Sequence, residues 1–245
     1  MTTYILIHGS WHTGEAWYKV EKILADNGAA VYAPTLSGME SIENPGGPEV
    51  GLNTHIQDIV RLIEDHDLTD VVLVGHSYSG FVITGAADLL PGRIKKLVYL
   101  DAFIPENNQS LFDIMGPASE AGMRAGLVNA QGQSKSDGAD EVWLLPPGDA
   151  AGYLGKDADP EMVAWLQARL VYKPVATFAE KVQIHDMTAV RAIPSVHIQC
   201  TQFPYLAWLA DKARGLGWPV YDIETGHDAM LTEPEAVAEI LLQEG

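Results

Sequence analysis

The sequence predicts an α/β fold, a doubly wound and mostly parallel sheet with helices on both faces and a helical cap inserted after the strand that ends near Asp101. Three observations carry this expectation. Short, unbroken, β-branched runs recur along the chain, the pattern of strands buried on both faces of a parallel sheet. Segments of helical period separate them, so strand and helix alternate as in repeated βα units. The alternation stops at Phe103 and resumes at Ser195. Residues 1–102 and 194–245 are therefore expected to form one sheet domain and residues 103–193 a cap, because a structureless loop of that length is rare in a compact domain.

The elements follow in order. Tyr4-Ile5-Leu6-Ile7 is a strand that ends at His8-Gly9-Ser10. Glu15 to Asn27 sets Trp17, Val20, Ile23 and Leu24 at helical spacing and stops at Gly28, a left-handed terminator. Ala30 to Ala33 is a second strand, and Thr35 to Gly51, rich in Gly, Pro and Ser, is a surface loop. Leu52 to Asp65 is an amphipathic helix with Ile56, Ile59, Val60 and Ile63 on one face, and Val71 to Val74 is a third strand. Phe81 to Leu89 is helical and Leu97 to Leu100 is a fourth strand. Within the cap, Pro160 to Leu170 reads as a helix and Gln131 to Asp140 as a flexible polar linker. Ser195 to Cys200 restarts the sheet, followed by a helix from Leu206 to Arg214, a strand from Pro219 to Ile223, and a closing helix from Pro234 to Gln243 with proline in its first turn.

Composition removes several classes of function. The chain has 245 residues, 47% hydrophobic and 20% charged, enough to bury one α/β core. Thirty-three acidic against fifteen basic side chains give a net charge of −18, which repels phosphate backbones and anionic lipid. Nucleic acid and membrane are not expected partners. No apolar run approaches the roughly twenty residues that span a bilayer. The start, Met-Thr-Thr-Tyr, has no basic region, apolar stretch or cleavage signal, and the single Cys200 cannot form an internal disulfide. A cytoplasmic location is the expectation from these features.

The chemistry concentrates in Val74-Gly75-His76-Ser77-Tyr78-Ser79-Gly80, a strand running into a tight turn and then a helix. Such a turn strains its central residue and lifts the Ser77 hydroxyl clear of the sheet, which requires small flanking residues. Ser79 replaces the second glycine of G-x-S-x-G and Gly80 follows. The same residues could form a phosphate cradle at a helix N-terminus. Acyl transfer needs two backbone N–H donors aimed at the oxyanion: the residue after the nucleophile, Tyr78, supplies one, and Ser10 at the end of the first strand is placed to supply the other. A serine hydroxyl needs a base. Of eight histidines, only His227 follows the last strand in a short glycine-marked loop, Glu224-Thr225-Gly226-His227-Asp228. His76 reads as a packing residue, and the other histidines as ordinary surface or core imidazoles.

These residues together resemble the α/β-hydrolases. His8-Gly9-Ser10-Trp11-His12, Trp17-Tyr18-Lys19 and Tyr99-Leu100-Asp101-Ala102-Phe103 resemble the branch that contains plant methyl esterases, hydroxynitrile lyases and many bacterial esterases. The resemblance spans essentially the whole chain and implies a lid over an apolar acyl pocket, with no cofactor and no metal. In that branch the triad acid usually follows the strand that is Val196 to Cys200 here, yet this chain reads Thr201-Gln202-Phe203-Pro204-Tyr205, with no carboxylate. Some α/β-hydrolases, certain haloalkane dehalogenases among them, place the acid after the strand that follows the nucleophile helix, a position that here is Asp101. The remaining possibilities are Asp222 or a Ser-His dyad without an acid.

Ser77, His227 and Asp101 are thus the expected catalytic residues, with Ser10 and Tyr78 as oxyanion donors and Trp11, Ile104, Trp143, Tyr153, Phe178 and Phe203 as pocket candidates. The expected activity is hydrolysis of a neutral, small to medium carboxylic ester through an acyl-enzyme, with lactones and carbamates as alternative substrates. The partner is a small-molecule ester, and a homodimer is the one protein assembly kept open. The lyases carry threonine where Gly9 stands and lysine where Asp228 stands, so cyanide chemistry lacks its charge partner. A haloalkane dehalogenase would need a carboxylate at position 77. A non-catalytic ligand receptor on the same fold is the contrasting class.

Overall fold

The computed structural model describes residues 1–245. The expected sheet is present: six parallel strands in the order β2-β1-β3-β4-β7-β8, comprising β1 (Thr3–Ile7), β2 (Ala30–Tyr32), β3 (Val71–His76), β4 (Ile94–Leu100), β7 (Ser195–Cys200) and β8 (Val220–Ile223). Their unbroken apolar runs sort by residue parity. Ile5, Ile7, Val71, Leu73, Leu97 and Tyr99 enter one core, packed under helices α2 (Leu52–Asp65) and α3 (Ser79–Leu89). Tyr4, Leu6, Val72, Val74, Val98 and Leu100 enter the other, under α1 (Tyr18–Asp26) and the closing helix (Pro234–Glu244). Two buried faces explain why β1, β3 and the end of β4 show no polar alternation.

Strand order reverses between β1 and β3, and in an open parallel sheet the crevice at such a point, at the carboxyl ends of the strands, receives ligands. The ends of β1 and β3 carry His8-Gly9-Ser10 and His76-Ser77. Gly75 and Gly80 make the turn after β3 possible, because a Cβ on them would lie 2.6 Å from Ser79 O and 1.9 Å from Phe103 O. Ser79, which departs from the glycine pattern, uses its hydroxyl to donate to the His8 carbonyl, so it ties the turn to β1 in a way glycine cannot.

Between β4 and β7 the chain forms α4 (Leu111–Met115), α5 (Pro117–Ala125), α6 (Ala150–Leu154), α7 (Pro160–Gln167), α8 (Ala176–Ala179) and α9 (Met187–Ala192). An antiparallel ribbon of β5 (Leu144–Leu145) and β6 (Lys173–Pro174), absent from the sequence expectation, joins them. Residues 131–140 differ from the expected flexible linker. Asn129 Oδ1 accepts from the Gln131 and Gln133 amides (3.0 and 2.9 Å), and Ser134 caps a single turn that ends at Asp137, so the segment is a closed, hydrogen-bonded turn. After β7 and its short 3-10 turn comes α10 (Ala207–Gly215); after β8 come α11 (Ala229–Thr232) and α12 (Pro234–Glu244). No helix is long and apolar enough to cross a membrane.

Lys173 is fully buried. Its Nζ lies 3.5 Å from the centroid of the Tyr78 ring and 3.7 Å from Met39 Sδ, and no carboxylate pairs with it. Burial pushes its pKa well below that of an ordinary lysine. Lys173→Met keeps the stem and removes an amine that lacks an oxygen partner, so it is expected to stabilise the fold by about 1–3 kcal/mol. Because the unfolded chain binds this proton more readily, the parent gains stability as pH rises towards 10.5 and the variant loses that part of the slope. Urea midpoints at pH 7 and pH 9.5 check both; a variant less stable than the parent at pH 7 would show that the ammonium–ring contact outweighs desolvation.

Candidate active site

Three of the six non-glycine residues at positive φ surround one crevice: Trp11 (63°), Ser77 (56°) and Asp101 (41°). Left-handed backbone is costly for such residues and is held here by over-determined contacts. At the turn between β3 and α3, the Ser77 amide donates to Leu100 O (3.1 Å), while its carbonyl accepts from the Gly80 and Phe103 amides (3.2 and 3.0 Å). At the end of β4, the Asp101 amide donates to Ile198 O (2.6 Å). The strand-end strain therefore aims the Ser77 and Asp101 side chains out of the same sheet edge.

Asp101 Oδ2 lies 2.6 Å from His227 Nδ1, and Asp101 Oδ1 accepts from the Cys200 amide at 3.3 Å. Burial pushes the Asp101 carboxyl pKa upward, against the pull of its bond to His227. With Nδ1 committed to Asp101, Nε2 is the His227 nitrogen available to Ser77. The ring is clamped between Phe203, stacked at 4.4 Å and 21°, and His76 at 4.5 Å and 45°. Asp222, the alternative acid, is exposed and lies beside Arg214 (3.9 Å), away from this cluster. The pentapeptide after Cys200 thus supplies an aromatic clamp and no carboxylate.

The Gly9–Ser10 peptide is oriented by His8. The Leu36 amide donates to His8 Nε2 (3.0 Å), so the proton of the neutral ring sits on Nδ1, which donates to Gly9 O (2.9 Å). Burial pushes this histidine down to about 3, keeping it neutral. In a trans peptide the N–H is opposed to the C=O. Pinning Gly9 O on His8 thus turns the Ser10 N–H the other way. Tyr78 begins α3 in helical conformation, and its side chain is anchored away from the crevice by a bond from its hydroxyl to His55 Nδ1 (3.1 Å), while His55 Nε2 donates to Ser37 O (3.0 Å).

Ser10, Ser77 and His227 open together on an apolar cavity of about 270 Å³. Of the aromatic candidates, Trp11, Tyr153, Phe178 and Phe203 line it; Phe103, Leu111, Met115, Met123, Tyr205 and Leu206 complete the wall. Two expectations are corrected. Ile104 lies behind the crevice, buried beside Tyr99 and Trp218 with its carbonyl held by Lys212 Nζ (2.8 Å), while the preceding Phe103 faces the cavity. Trp143 lies outside the cavity and donates its indole N–H to Gly46 O (2.8 Å), bracing the loop before α2. Met115 and Met123 were not foreseen, since methionines on short helices have no pattern that distinguishes a pocket from a core.

A buried cluster behind His227 was also missed. His12 Nε2 lies 2.9 Å from Asp228 Oδ2, and His12 Nδ1 lies 2.7 Å from Ser10 O. His76 Nε2 donates to the His227 carbonyl at 3.1 Å. His76 therefore packs beside the turn as expected and also fixes the loop that carries His227. The four-residue spacing of His8 and His12 was the only signal, and on its own it is mute.

Similarity to known proteins agrees with this geometry. The sequence model of the alpha/beta hydrolase family matches residues 4–240. The chain is 32% identical over 247 residues, 98% of each sequence, to a carbendazim hydrolyzing esterase of Nocardioides sp. (strain SG-4G). It is 22% identical to an alpha-hydroxynitrile lyase of Arabidopsis thaliana, over 97% of this chain and 95% of the other. Among solved structures, an extracellular alpha/beta-hydrolase from a Paenibacillus species superposes with a TM-score of 0.82 at 23% identity, covering 100% of this chain and 99% of that one. With a whole-length family match on top of the parallel sheet and the strained serine turn, the chain belongs to the alpha/beta hydrolase family.

Proposed function

We propose that the protein is a serine esterase that cleaves neutral, small to medium carboxylic esters through an acyl-enzyme. The observation that carries this reading is the convergence of Ser77 and the Asp101–His227 pair on one apolar cavity. Ser77 Oγ attacks the ester carbonyl as His227 Nε2 takes its proton; Asp101 stabilises the resulting imidazolium; the Ser10 and Tyr78 amides receive the oxyanion. His227 returns the proton to the departing alkoxide, and water repeats the sequence to free the acid. Residues 103–193 act as a lid, because Leu111, Met115, Met123, Tyr153 and Phe178 from that segment form much of the cavity wall. The cavity's lack of charged side chains supports a neutral substrate.

Carbamate cleavage is the second reading, supported by the full-length similarity to an esterase named for carbendazim, itself a carbamate. Lyase chemistry is disfavoured by space: a Cβ on Gly9 would lie 2.6 Å from His76 Nδ1 and 3.0 Å from Ser77 Cβ, so threonine does not fit there without displacing His76. The test is paired. A fluorophosphonate probe is expected to add to Ser77, read by peptide mass, and p-nitrophenyl acetate hydrolysis is expected to fall about 10⁴-fold or more in Ser77→Ala. A parent protein that neither labels nor hydrolyses would instead be a receptor.

A further inference from the structure

His12 and Asp228 are both buried, at 2% and 0% exposure, and neither lines the substrate cavity. Both nitrogens of His12 face acceptors: Nδ1 the Ser10 carbonyl at 2.7 Å, Nε2 the Asp228 carboxylate at 2.9 Å. A neutral imidazole has one N–H and can satisfy only one of them. Satisfying both makes the ring an imidazolium, paired with a carboxylate in the protein interior. The field of His12 holds the Asp228 carboxyl at about 2, and that of Asp228 raises His12 against its own burial.

A buried ion pair is a poor device for stability, since desolvating both charges offsets most of their attraction. What this pair does have is position. It joins the segment carrying the oxyanion donor to the segment carrying the base. His8 holds the Gly9 carbonyl and His12 holds the next one, Ser10, so two successive carbonyls are drawn back while the Ser10 N–H between them stays directed at the crevice. Asp228 directly follows His227, and its amide donates to Tyr153 O (3.2 Å), a residue of the cavity wall. The adjacent His227 carbonyl is held by His76.

We propose that His12 and Asp228 are positioning residues, a buried imidazolium–carboxylate pair that fixes the Ser10 oxyanion donor relative to the His227 base as one rigid unit. The proposal rests on the serine esterase reading. Misplacing reacting groups by an ångström costs about 100-fold, which sets the scale of the effect.

The test has a spectroscopic and a kinetic part. In the parent, nitrogen-15 correlation spectra of the histidine rings at pH 7.5, assigned by the loss of signals in His12→Gln, are expected to show both His12 nitrogens protonated; a neutral tautomer overturns the proposal whether or not the protein is an esterase. Asp228→Asn is expected to lower kcat per titrated active site about 10- to 100-fold with KM changed less than threefold. His12→Asn retains a donor near Ser10 O and His12→Gln one near Asp228, and both are expected to lose kcat, because the first unlinks the two segments and the second releases the Ser10 carbonyl. The double variant H12Q/D228N is neutral throughout and supplies folded protein if Asp228→Asn does not; its kcat deficit is expected to persist. A lowered Tm with parental kcat per site in these variants would reduce the pair to a structural role and overturn the proposal. Parent activity that survives Ser77→Ala would instead defeat the esterase reading and leave the spectroscopic result standing.

Discussion

Asp101→Asn is expected to reduce kcat about 10⁴-fold, the scale seen when the acid of a serine triad becomes an amide, with little change in KM. Asp101 Oδ2 lies 2.6 Å from His227 Nδ1; in the proposed mechanism it accepts the Nδ1 proton and leaves Nε2 free to take that of Ser77. An asparagine amide can present its N–H₂ to Nδ1 instead, which moves the ring proton to Nε2, where it cannot act as a base. The imidazolium also loses its only carboxylate hydrogen bond. The fold should tolerate the change. Burial already works against the Asp101 carboxylate, Oδ1 contributes only a 3.3 Å contact to the Cys200 amide, and an amide oxygen can keep that contact. A Tm within a few degrees of the parent is therefore expected alongside the kinetic loss. Asp222→Asn serves as the control, since that carboxylate lies on the surface beside Arg214. Activity of Asp101→Asn within tenfold of the parent would remove it from the triad and leave a Ser-His dyad.

The centre of the sheet was legible because β1, β3 and the end of β4 bury both faces, so their runs of Val, Ile and Leu have no polar interruption to confuse them with an amphipathic helix. Ser77 was legible for a related reason: only a strand, a sharp turn with small neighbours and a helix produce that local string. Asp101 and His227 are 126 positions apart, and the sequence could suggest their pairing only through strand order and the missing carboxylate after Cys200. The cavity wall was less readable. Trp11, Tyr153, Phe178 and Phe203 reach it, while Ile104 and Trp143 of the same character do not, because the outcome depends on how short helices and loops turn within residues 103–193. His12 and Asp228 were hidden for another reason. A buried ion pair forms between two residues that each look solvated in isolation, and only their contact across 216 positions reveals them.

Steep acid sensitivity is the second large effect expected, and it comes from histidines that the fold keeps neutral. Burial pushes His8 down to about 3 and His197 down to about 4, and it holds His55 and His76 well below 6.5. For a histidine whose folded pKa is depressed, the unfolded chain binds the proton first. Stability is then full above the unfolded value of 6.5 and falls as pH drops towards the folded value. Each such group contributes a slope of about 1.4 kcal/mol per pH unit within its window. Four overlapping windows give about 5 kcal/mol per unit between pH 6 and 5, comparable with the 5–15 kcal/mol total of an ordinary domain. His12 does not oppose this loss: its folded pKa is raised, so below 6.5 it is protonated in both states and has no slope there. Asp228, held at about 2, adds its own loss only below about pH 4. The protein is thus expected to unfold between one and two pH units below 6.5, with thermal midpoints that fall continuously from pH 7 to pH 5. His197 offers the cleanest check, because neither of its ring nitrogens has a hydrogen-bond partner. His197→Leu removes one proton from the linkage, so the acid midpoint should move lower and the slope between pH 6 and 5 should drop by about a quarter. Thermal midpoints that stay level from pH 7 to pH 5 would mean that these rings accept protons in the folded state.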